Sequence, residues 1–120
     1  MSSVTEPKTR KMLEAQPWID IRQLKVDDEL LIDADPFIYQ LRIINPIIGL
    51  IEVTSSDPRL KEPVVGIYLG GYYDLDDVIE FEYRISVALK MKIKFLDCIY
   101  VTNPMLTARL IGKGFYYDVF

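Results

Sequence analysis

The chain has no histidine and only one cysteine among its 120 residues. Histidine is the commonest general base, the partner of serine and cysteine nucleophiles, and a frequent zinc and haem ligand. Its absence counts against all of those chemistries. The one cysteine, Cys98, cannot close an internal disulfide, so a secreted scaffold held by bridges is excluded. Cys98 falls in the apolar run 96–101 and is expected to be a small buried side chain. No run of about 18 apolar residues occurs, so no membrane-spanning helix and no membrane partner are expected. Residues 1–7 lack the apolar stretch of a signal peptide, and a cytoplasmic location is expected, the host cytoplasm if the chain is viral. A glycine-rich phosphate loop is also missing. Gly70-Gly71 has neither the glycine spacing nor a following lysine and helix, so no cofactor is expected.

What is present is apolar and β-prone. Half of the residues are hydrophobic, enough for a core that needs no disulfide or metal at this length. The net charge of −4 disfavours broad binding to nucleic acid, which wants a basic surface. Residues 1–17 are polar and read as a mobile segment or a short helix after Pro7, ended by Pro17. Residues 18–120 read as a single β-domain. Asp35-Pro36, Asn45-Pro46 with Gly49, Asp57-Pro58, Gly70-Gly71, Asn103-Pro104 and Gly112-Lys113-Gly114 are turn signals between strand-like segments. Residues 38–44 and 50–54 pair as a hairpin, and Gly70-Gly71 ends the strand that precedes it.

The strongest pattern runs over residues 79–95. Every odd position is apolar, and all the even positions but Ala88 are charged or hydroxylated. A helix would scatter those apolar side chains around its axis, so the segment reads as strand. Straight, it would be about 55 Å long, too long for a small domain. Two solutions stand: a strand that bends from one sheet into another, or a hairpin folded near Val87. The hairpin sets Glu80 against Lys94 and Glu82 against Lys92, but it lacks turn-forming residues at its tip. The fold class expected is all-β, a small antiparallel barrel or two-sheet sandwich of seven or eight strands with meander connections.

Three candidate sites follow. Tyr72 and Tyr73, in a loop hinged by Gly70-Gly71, and Tyr116 and Tyr117 near the C-terminus are candidate partner contacts, because tyrosine offers large contact area at small entropic cost. Arg84, Lys90, Lys92 and Lys94 share one parity and could line a strand face for single-stranded nucleic acid. Asp74, Asp76 and Asp77 could converge on a divalent cation. The reading these support is a non-enzymatic β-domain acting through protein–protein contact, as a self-assembling accessory or structural subunit. The alternatives are a single-strand nucleic-acid binder and a divalent-metal hydrolase.

Overall fold

Turn residues cut the chain into short strands, and the alternation within each decides which face goes inward. The computed structural model describes residues 5–75 and 78–120. A helix, α1 (Thr5–Glu14), precedes β1 (Trp18–Asp20) and one turn of 3-10 helix at Ile21–Gln23. Then come β2 (Glu29–Ala34), β3 (Phe37–Asn45), a 3-10 turn at Pro46–Ile48, β4 (Leu50–Ser55) and β5 (Val64–Tyr73). The second half is β6 (Ile79–Glu82), β7 (Arg84–Ser86), β8 (Lys90–Lys94), β9 (Ile99–Pro104), β10 (Thr107–Gly112) and β11 (Phe115–Asp118). The protein is all-β with one short helix among the described residues.

Nine strands form one antiparallel sheet in the order β11-β10-β2-β3-β4-β5-β8-β9, with β6 beside the far half of β5. β1 and β7 make a second, two-stranded sheet. The large sheet curls. Its two ends are brought near each other by the two-residue connection between β9 and β10, yet no ladder joins β9 to β2, so the barrel is not closed. Bonds at the seam replace the ladder: the Leu106 N–H donates to the Asp33 carbonyl at 2.7 Å, and Asn103 Nδ2 to the Asp35 carbonyl at 2.9 Å. Inside lies one apolar cluster that includes Ile32, Leu41, Ile51, Tyr68, Met91 and Ile93. α1 adds Leu13 to it and leaves Met12 outside.

The expected hairpin is β3–β4, with Asn45 capping the 3-10 turn and Gly49 left-handed at φ +72°. The alternating run 79–95 is neither one strand nor a hairpin about Val87. It gives three strands, and with the short β1 this raises the count above the seven or eight expected. β6 pairs with one side of β5, β7 leaves for the small sheet, and β8 returns to the other side of β5. The breaks fall where Tyr83 (φ +59°) and Ala88 (φ +73°) take left-handed backbone. Lys92 consequently meets Glu80 rather than Glu82, at 3.0 Å. The parity holds within the strands but not at the breaks: Ile79, Phe81, Ile85, Leu89, Met91, Ile93 and Phe95 are buried, while Tyr83 and Val87 are half-buried and the even-numbered Ser86 is buried.

Gly70-Gly71 does not end β5, which continues to Tyr73. A Cβ on Gly70 would lie 2.2 Å from the Phe81 carbonyl oxygen, and one on Gly71 would lie 2.4 Å from Leu89 Cδ1. The glycines are there for close approach of β6 and Leu89, not for a turn. Two further expectations are corrected at the β8–β9–β10 corner. Residues 96–98 form the turn, closed by the Phe95 N–H donating to the Cys98 carbonyl at 2.9 Å, so Cys98 is exposed rather than buried. Asn103-Pro104 belongs to β9, and Met105-Leu106 join it to β10 without a turn.

Candidate contact site

β11 lies at one end of the large sheet, with β10 on one side and, among the described residues, no strand on the other. It exists because Gly112-Lys113-Gly114 permits a two-residue loop, with Gly114 at φ +85° and Gly112 opposite Phe115. In an adjacent tyrosine pair, one ring is expected to turn inward. At Tyr116-Tyr117 neither is buried: Tyr117 shares the face of buried Leu110, yet the two are 60% and 50% exposed, and Phe115 beside them is 39% exposed. The physical reason is position. β11 has no opposing layer, so both faces of the strand see solvent. Tyr116 shares a face with Ile111 and Asp118, while Phe115 and Tyr117 stack on the other face with ring centroids 5.8 Å apart.

Next to Tyr116, on the outer face, Arg109 donates to Asp118 at 2.9 Å and lies 4.8 Å from the Tyr116 ring centroid. The Asp118 carboxylate raises the Arg109 pKa. A groove of about 290 Å³ opens beside this pair, lined by Leu31, Ile38, Thr107, Arg109, Asp118 and Phe120. Leu31 and Ile38 are exposed apolar side chains on its floor. The aromatic run was legible in the sequence. Phe115, Leu31 and Ile38 were not, because each sits in an ordinary strand pattern and only the sheet order places them beside an open edge.

Tyr72 and Tyr73 are elsewhere. They end β5, are half-buried, and are separated from β11 by four strands along the sheet path. Tyr73 packs against the core, and Tyr72 carries Lys92 5.4 Å from its ring centroid. The two tyrosine pairs thus do not meet.

The basic residues do not form one open stripe. Lys90 reaches Asp74 at 3.2 Å and Lys92 reaches Glu80 at 3.0 Å, while Lys94 stays exposed. Arg84 is in the small sheet, held between Trp18 (4.0 Å) and Phe81 (4.5 Å), with Nη1 buried and lacking a hydrogen-bond partner. Burial lowers its pKa. Of the acidic candidates, Asp76 and Asp77 lie outside the described residues, and Asp74 is engaged by Lys90. Among the described residues no three metal-ligating side chains converge.

A buried polar cluster near the seam was not anticipated. Asp57, on the β4–β5 connection, is 2% exposed and receives a bidentate Arg59 guanidinium, with Nη2 at 2.7 Å. The Tyr100 hydroxyl donates to Asp57 and pairs with the Tyr39 hydroxyl at 2.9 Å. Arg59 holds the Asp57 carboxyl down at about 2, and the bond from Tyr100 assists. Burial pushes the Tyr100 phenol well above its usual range, as does donation to Asp57. A phenol so shifted keeps its proton at neutral pH and stays a donor to Asp57, and the cluster's geometry is that of a latch tying β9 to β3 and the β4–β5 connection. Ser55-Ser56-Asp57-Pro58 reads as a turn in sequence, and nothing local announces a partner at Tyr100.

Comparison with family models, with curated proteins and with solved structures found no match to this chain. Among the described residues no helix is long and apolar enough to cross a membrane.

Proposed function

We propose that the chain is a non-enzymatic β-domain that works by protein–protein contact through the open edge of β11. One observation carries this reading: three consecutive aromatic residues, Phe115-Tyr116-Tyr117, are exposed on an end strand with a free hydrogen-bonding edge. Native edge strands are usually protected by lysine, proline, a bulge or a covering element. β11 carries none of these; Asp118 is its one charge, and Arg109 already neutralises it. An edge of this kind binds an extended segment by strand addition, with backbone bonds for affinity and side-chain contacts for selectivity. At the opposite end of the sheet, β9 is less available, because Tyr100 and Asn103 tie it across the seam.

The test is a displayed library of extended peptides, panned on the full chain and on Tyr116→Pro. Peptides of alternating apolar pattern should bind the former and not the latter. Failure to select any binder, or binding that Tyr116→Pro leaves intact, refutes the reading.

A further inference from the structure

We infer that the edge of β11 is built to pair with the same edge of a second copy of this chain, antiparallel and centred on Tyr116. The inference rests on the contact reading above and names its partner.

The free backbone groups come first. The Val119 N–H donates to the Ala108 carbonyl at 2.7 Å, and β10 faces β11 with Gly112 opposite Phe115 and Leu110 opposite Tyr117. Alternation along a strand then turns the N–H and C=O of Phe115 and Tyr117 toward β10 and those of Tyr116 and Asp118 outward. An added antiparallel strand must offer its own outward residues at matching places. For two copies about a twofold axis, that restricts the registers to those pairing even-numbered residues with even-numbered ones.

Side-chain chemistry selects among them. Centring on Tyr116 sets Tyr116 opposite Tyr116, Phe115 opposite Tyr117, and Gly114 opposite Asp118. Every exposed ring of β11 then has a ring across the interface, and aromatic cross-strand pairs are among the favourable ones. Moving the centre to Phe115 puts Tyr116 against Gly114 and Tyr117 against Lys113. Moving it to Tyr117 puts Tyr116 against the Asp118 carboxylate. Both waste rings that the central register pairs.

Charge selects the direction. Lys113 stands just before the strand. Parallel copies would set Lys113 beside Lys113, and antiparallel copies place the two lysines at opposite margins. A contact built on four residues per copy is short, so the dimer is expected to be weak and to form at roughly micromolar concentration or above.

The experiment uses the full chain in a Cys98→Ser background, which removes the exposed native thiol. Light scattering from low micromolar to several hundred micromolar should show a monomer–dimer equilibrium. Tyr116→Pro removes one outward N–H, a change edge strands tolerate, and should weaken the dimer roughly tenfold or more while circular dichroism stays unchanged. Single cysteines read the register. Tyr116→Cys should oxidise to a homodimer, since opposed Cα atoms about 5.5 Å apart suit a disulfide. Phe115→Cys and Tyr117→Cys should cross-link when mixed and not alone.

A monomer at all concentrations, a dimer indifferent to Tyr116→Pro, or cross-links strongest in the Phe115→Cys or Tyr117→Cys protein alone overturns the inference. A monomer that still binds edge-directed peptides removes self-pairing and leaves the contact reading standing. A monomer that binds none removes both.

Discussion

Asp57→Asn should flatten the acid limb of the stability curve. In the folded chain Asp57 is buried, accepts from the Arg59 backbone N–H and guanidinium and from the Tyr100 hydroxyl, and titrates near 2. Unfolded, it returns to about 3.8. A folded pKa below the unfolded one means that protons bind the unfolded chain first as pH falls. The contribution of Asp57 is therefore fully present above pH 4 and is lost between about pH 4 and pH 2. A depression of this size would be worth roughly 2 kcal/mol without screening. Solvent reaches the exposed Arg59 guanidinium, so about 1 kcal/mol is expected. Urea unfolding of the original chain and of Asp57→Asn at pH 7, 4, 3 and 2 measures it. The variant should be less stable at pH 7 and should lose that much less between pH 4 and pH 2. Tyr100→Phe should fall between the two, because it removes one of the bonds that depress the carboxyl. Equal pH slopes in the original and Asp57→Asn proteins would refute the assignment of this carboxylate as the latch.

Other expectations are simpler. Gly71→Ala places a methyl 2.4 Å from Leu89 Cδ1 and should cost about 1–3 kcal/mol by overpacking, read as a lower urea midpoint at unchanged slope. Gly70→Ala meets backbone rather than a side chain and should cost more; a variant as stable as the original would contradict the packing of β6 on β5. Cys98 should react with a thiol reagent in the folded state as fast as in denaturant, and strong protection would place the β8–β9 turn wrongly. Lys92→Ala should change stability by less than about 1 kcal/mol, because its bond to Glu80 is solvent-exposed; a larger loss by thermal unfolding would show that pair to be structural.

Much of the inward-facing set was legible in the chain. A period of two sends alternate side chains to opposite faces, so residues 79–95 declared most of their buried members; the breaks at Tyr83 and Ala88 are what left Tyr83 and Val87 half-buried and buried Ser86. The aromatic pair Tyr116-Tyr117 was equally visible as a contact candidate. Its exposure was not, since a local pattern carries no record of whether a neighbouring strand or layer exists. The opposite error occurred at Cys98, where an apolar neighbourhood in sequence became a solvent-exposed turn in space.

By itself, then, the sequence determined the strand-forming segments, most of the turns between them and the side chains that face the core, because these depend on neighbours along the chain. The tertiary structure decided the rest. It made Gly70-Gly71 a close-packing pair, because β6 and Leu89 come from later in the chain to lie on them. It joined Asp57 to Tyr100, because the curl of the sheet closes that distance. It left β11 at the edge, because only the order of strands says which one has no neighbour.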